Sequence, residues 1–218
     1  MSEIMTPGNP DIPPGHVLPI VKDRVFLSEP CTSFDFTDAQ TNPIQLASDL
    51  VATMLKNNGV GLAANQVGYK LRVFAMRTAP EMTVVFNPKI VSFSDDEEVL
   101  EEGCLSFPNL IIPIKRPKSI RVRFAYPNGE IGTHTYAGLT ARVFQHELDH
   151  IDGVLFFSRA NKIHLERALK KKARLDKQLK ERTSKLTGNA VQDSVSSIPG
   201  SWLSDMIKQR AAAEISPK

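Results

Sequence analysis

Residues Gln145–His150 read QHELDH, and the His-Glu-x-x-His inside that stretch does chemistry in only one conformation. A helix places residues i and i+4 on one face, so His146 and His150 can hold a single ion together only there. The neighbouring residues agree: Leu139, Val143, Leu148 and Ile151 do not alternate as a strand would, and Gly153 supplies a stop. Glu147 stands one step further, about 100° round such a helix, where it reaches a water beside the ion and can carry its protons. Spacing alone also fits two ordinary surface or core histidines, so the reading turns on a third ligand.

Two places can supply one. Downstream, where zinc proteases carry a further His or Glu, His164 and Glu166 are the near candidates, but both fall in a basic helical stretch with no glycine turn to bring them back. Upstream lies EEGCLS, Glu101–Ser106, in which Cys104 stands between two strand-like segments next to Gly103. A thiolate is a strong ligand, although the common fate of a free cysteine is to be a small buried hydrophobe. Cys31 has no comparable context. A further stretch, GVGLAANQ from Gly59 to Gln66, fails as a phosphate cradle because it lacks the third glycine and the lysine of a P-loop. It reads instead as a helix C-cap and a tight turn that lets backbone approach something closely, with Gln66 as a neutral amide donor suited to polarising a carbonyl.

The rest of the chain sets these stretches on elements. Residues 1–16 are rich in Pro and Gly and read as an irregular arm. TNPIQLASDLVATMLKNNG is a helix with Asn42 as N-cap, Pro43 in the first turn and Gly59 as terminator. Strand-like runs follow at Leu71–Met76, Val84–Phe86 and Ile90–Phe93, then a hairpin with a Pro127-Asn128-Gly129 turn, then the His-bearing helix. A basic helix is expected over 161–183 and a flexible tail over 184–218, with a short amphipathic piece at Trp202–Arg210. The organisation is therefore arm, catalytic domain over 17–160, basic helix and tail. The fold class is α+β, with mixed or antiparallel sheets around a central metal-binding helix and a C-terminal helix. A chain of 218 residues with a net charge of +3 gives no whole-protein case for nucleic acid. No apolar run reaches the roughly 20 residues of a membrane span, and two cysteines suit a reduced cytoplasmic setting, or an equivalent organelle or host compartment.

GVGLAANQ, EGCLS and QHELDH, in this order and at these separations, resemble the three motifs of the peptide deformylases, over roughly Val17–Leu179. That resemblance implies a metal-dependent hydrolase that removes the N-formyl group from the formyl-methionine of nascent polypeptides and releases formate. It implies Cys104, His146 and His150 as metal ligands, and Glu147 as the proton carrier. Gln66 and the backbone N–H of Leu105 become the donors to the formyl oxygen. The ion it implies is Fe(2+), with Zn(2+), Ni(2+) or Co(2+) able to substitute; the ligand set by itself would suggest zinc. Val60, Leu139, Val143 and Leu100 would wall the methionine pocket, and the Gly61 and Glu102–Gly103 segments would pair with substrate backbone. Asp149, paired with Arg116, would orient the ligands from behind. Two positions depart from the commonest bacterial pattern: Ile111 where many relatives have Arg, and Arg142 where many have an apolar residue. Arg142 is expected either at the pocket rim, touching the substrate chain and partly replacing the Arg absent at Ile111, or as a solvated helix residue.

From Arg159 to Lys185 there are 11 basic and 3 acidic residues, a local excess of 8 in a chain whose total is +3. Charge alone fits a solvated helix face; the family resemblance implies instead docking on the RNA phosphates of a ribosome, with a monomer as the favoured state. Two rivals remain: a zinc endopeptidase with a different third ligand, and a metal-stabilised RNA-binding module that hydrolyses nothing.

Overall fold

The computed structural model describes residues 13–37, 40–78 and 81–196, the side chains of 185–196 excepted. The first part of the arm, the Trp202–Arg210 piece and the tail beyond Ser196 lie outside them. The elements in chain order are α1 (Arg24–Leu27), α2 (Pro43–Lys56), β1 (Gly61–Ala63), β2 (Val73–Thr78), β3 (Glu81–Phe93), β4 (Glu97–Cys104), β5 (Phe107–Pro117), β6 (Ser119–Ala125), β7 (Ile131–Ala137), α3 (Gly138–Ile151) and α4 (Lys162–Ser196). One sheet runs β1-β2-β3-β6-β7 and a second is the β4-β5 pair; every pairing is antiparallel.

Helix α2 starts as its sequence dictates. The Asn42 side chain accepts from the N–H groups of Ile44 and Gln45, and Pro43 occupies the first turn. Its end differs from expectation. Asn58, not Gly59, takes the left-handed conformation (φ 54°), Asn58 N–H donates to Leu55 O, and Gly59 N–H donates to Met54 O. This is a Schellman ending with Asn in the glycine role. Gly59 is needed for closeness instead: a Cβ there would come within 3.0 Å of Leu105 Cδ1.

The five-stranded sheet is buried on both faces along β2 and the first half of β3. In β2, Val73 and Ala75 join the cluster built on α2, while Phe74 and Met76 join the cluster built on α3. Phe74 meets Phe144 of α3 edge to face, with ring centroids 5.0 Å apart. A strand covered on both sides reads as a continuous apolar run, which explains VFAM and VVF in the sequence. The third cluster packs β5 against Leu27, Phe156 and Ala168, the last from the second turn of α4.

Two expectations are corrected here. The runs at 84–86 and 90–93 are one strand, β3, bent at Asn87 (φ 49°) where the register with β6 shifts. The Asn87 side chain holds both the N–H and the carbonyl of Phe34, so the kink is tied down from outside the sheet. The basic helix does not stop at 183: α4 continues to Ser196. By contact density the chain divides into Met1–Leu169 and Lys170–Lys218, so the first two turns of α4 belong with the catalytic unit. No helix among the described residues is long and apolar enough to cross a membrane.

Candidate metal centre and its cavity

Helix α3 brings His146 and His150 to one face, and the end of β4 brings Cys104 to them. Their ligand atoms lie within 4.8 Å of one another, with Cys104 Sγ 3.1 Å from His150 Nε2. His164 and Glu166, the downstream alternatives, take no part in this cluster. His146 Nδ1 is 2.8 Å from Glu102 Oε2, which leaves its Nε2 for an ion. Burial alone would lower the His146 pKa, but the bonds to Cys104 and Glu102 and the nearby Glu147 charge carry it up to about 10 while no ion is bound. His150, equally buried and facing a charged His146, is held well below the usual range.

Glu147 is buried, and its Oε2 has no hydrogen-bond partner. Burial lifts its pKa to about 7, opposed in part by the His146 charge. A carboxyl poised near neutrality with an unpartnered oxygen is chemically able to take up and give back a proton. Gly61 explains itself beside it, because a Cβ at that position would overlap Glu147 Oε1 and Val143 Cγ1. Gln66 is locked in orientation: its Oε1 accepts from the Ala63 N–H at 2.9 Å, which turns Nε2 toward Cys104 Sγ (3.3 Å) and Ser106 Oγ (3.1 Å).

A cavity of about 350 Å³ opens onto this cluster, lined among others by Val60, Gly61, Gln66, Gly103, Leu105, Leu139 and Val143. Leu100, expected in its wall, is not among the lining residues. One assignment is extended and one changes. Glu102 lines the cavity on the segment expected to pair with substrate backbone, and its buried carboxylate is in addition the hub of the site's support. It receives Arg116 (2.6 and 2.9 Å), Arg142 (3.0 Å) and His146. Those bonds hold its pKa far below the ordinary range despite burial. Arg142 borders the cavity, but its terminal nitrogens are taken by Glu102, Ile114 O and Glu98 O, and the residue is 5% exposed. It braces the wall and does not replace an arginine at Ile111. Asp149 pairs with Arg116 as expected and also with Arg159. Its carboxylate bonds the two arginines and not an imidazole, so its influence on His146 passes through Arg116 and Glu102.

Parity gave the missed signal. Glu102 is two residues from Cys104 on one strand, and Arg142 is four residues from His146 on one helix, so each had to face the same way as its neighbour.

A half-buried thiol and two buried imidazoles, beside a near-neutral carboxylate and an oriented amide, define a metallohydrolase-type centre. Comparison with known proteins agrees. The polypeptide deformylase family pattern matches residues 17–166. A peptide deformylase of Thermotoga petrophila is 40% identical over 141 residues, 65% of this chain and 81% of that protein. A plant peptide deformylase structure superposes with a TM-score of 0.67 at 32% identity, covering 80% of this chain and 97% of that one. A Met-Ala-Ser-bound class I type b peptide deformylase from Acinetobacter baumannii gives 0.62 at 34% identity, over 66% of this chain and 99% of that one. The chain belongs to the polypeptide deformylase family.

Proposed function

We propose that this cavity takes the N-terminal formyl-methionine of a nascent polypeptide and hydrolyses its formyl amide, releasing formate. One observation carries the reading: three ligand atoms within 4.8 Å of one another stand beside a buried carboxylate whose Oε2 is unpartnered. The donor set suits a divalent transition ion, and Cys104, His146 and His150 would hold it. Family resemblance favours Fe(2+) over Zn(2+), Ni(2+) or Co(2+). When bound, the ion supplies Lewis acidity toward the formyl oxygen and the attacking water.

The chain's own residues do the rest. Glu147 takes a proton from the attacking water and delivers it to the departing amine nitrogen, so the C–N bond breaks without expelling an amide anion. Gln66 Nε2 and the Leu105 N–H donate to the formyl oxygen as charge builds there. The apolar side chains of Val60, Leu139 and Val143 receive the methionine, and the Gly61 and Gly103 segments offer backbone to the peptide. The Met-Ala-Ser bound to the Acinetobacter relative supports a peptide occupant of this kind. Two free thiols support a reducing compartment, the cytoplasm or its equivalent. The basic helix 161–183 supports docking on ribosomal RNA by electrostatics.

Formate and free amine released from formyl-Met-Ala test the reading. Hydrolysis that is lost, together with the metal, in Cys104→Ser supports it. A Cys104→Ser protein that keeps its metal would favour an endopeptidase site, and absence of hydrolysis in the metal-loaded protein would favour a binding module.

A further inference from the structure

We propose that the mouth of the cavity selects a cationic side chain among the residues that follow the methionine, with Glu101 as the counter-charge. The inference rests on the function proposed above and deepens it.

Strand β4 alternates, so Glu102 faces the interior and Glu101 faces solvent at the cavity edge. Every other charged side chain lining the cavity is buried: Glu102, Arg142, His146 and Glu147. Glu102 and Arg142 already satisfy each other at 3.0 Å. On the outer face of the same hairpin, Lys115 is paired with Glu97. Among the described residues no hydrogen bond or ion pair engages the Glu101 carboxylate, so it is the uncompensated charge at the entrance.

Beside it the wall is apolar and open. Ile111 is 43% exposed, Val60 46% and Leu139 64%, and all three line the cavity. Ile111 lies directly over Gly103, whose added Cβ would come within 2.6 Å of Ile111 Cδ1. Large apolar side chains left open around a cavity mark a place that an occupant covers. A lysine or arginine matches both features, laying its methylene stem on the apolar wall and its head toward the carboxylate. A glutamate in the same place would face Glu101 as a like charge.

Four peptides test this: formyl-Met-Lys-Ala, formyl-Met-Ala-Lys and their glutamate counterparts, compared by kcat/KM. At low salt the lysine peptide should be preferred by about three- to fivefold at one position or the other, the range of an exposed ion pair. The ratio should shrink with added salt, fall toward one in Glu101→Gln, persist in Glu101→Asp and invert in Glu101→Lys. A ratio of one at both positions, or one unchanged in Glu101→Gln, would overturn the proposal while leaving the deformylase reading intact. Hydrolysis of none of the four peptides would overturn that reading, and this inference with it.

Discussion

Glu147 is kept near the point of half-ionisation by its surroundings, its pKa lifted to about 7 by burial. Replacing it with Gln preserves shape and removes the proton carrier. Turnover should fall by about 10²-fold or more with metal content unchanged; a near-normal rate would refute its role. His146 gives a second test. Its pKa stands at about 10 without an ion, so at pH 7 it carries a proton that a ligand must shed. Metal binding at pH 7 should therefore release that proton, visible as a buffer-dependent heat, and affinity should rise with pH up to about 10. The sign follows from the same shift for the ion-free fold. A histidine raised from 6.5 to about 10 contributes stability that is full below 6.5 and lost as pH climbs through 10. At this scale the sequence was legible where chemistry fixes spacing, as in His146, Glu147 and His150. The side-chain roles of Glu102 and Arg142 leave no such mark, because their direction is set by each other across 40 residues of chain.

Arg142 also belongs to a larger part of the structure, because it ties α3 to both strands of the β4–β5 hairpin. Its nitrogens hold Glu98 O of β4 and Ile114 O of β5 as well as the Glu102 carboxylate. Arg142→Leu strips these acceptors and leaves a buried carboxylate short of one partner. The expected loss is about 3–5 kcal/mol in denaturant unfolding of the ion-free protein. A substrate-contact role would instead change tripeptide kinetics and leave stability alone. Elements with local signals were legible: the Asn42 cap, the Pro127-Asn128-Gly129 turn and the period of α3 all stand where the pattern put them. The continuity of β3 through Asn87-Pro88 carries no local apolar signal. A bend held by Phe34, 53 positions away, leaves no mark in a local window.

For the whole molecule, the end of the catalytic unit lies further along the chain than the family pattern indicates. Leu165 and Ala168 of α4 pack into the cluster around Phe107 and Phe156. A cut after Asn161 should therefore expose that cluster and lower the melting temperature, contrary to what charge alone suggests. A cut after Leu169 removes most of the basic excess and should leave formyl-peptide hydrolysis intact while weakening ribosome co-sedimentation at low salt. Unchanged co-sedimentation would return the basic stretch to a solvated face.

The sheet sandwiched between α2 and α3 has a consequence for how the protein breathes. Residues Val73–Met76 are buried without interruption, whereas β7 at the sheet's edge alternates between half-buried and exposed. Backbone amides in β2 are reached by deuterium only when both covering helices lift, which amounts to opening the whole catalytic unit. Those in β7 need only a local fray. Hydrogen exchange should accordingly divide this one sheet into a slow centre and a fast margin. The slow class should report the global unfolding free energy, and it should slow further when an ion joins α3 to the hairpin.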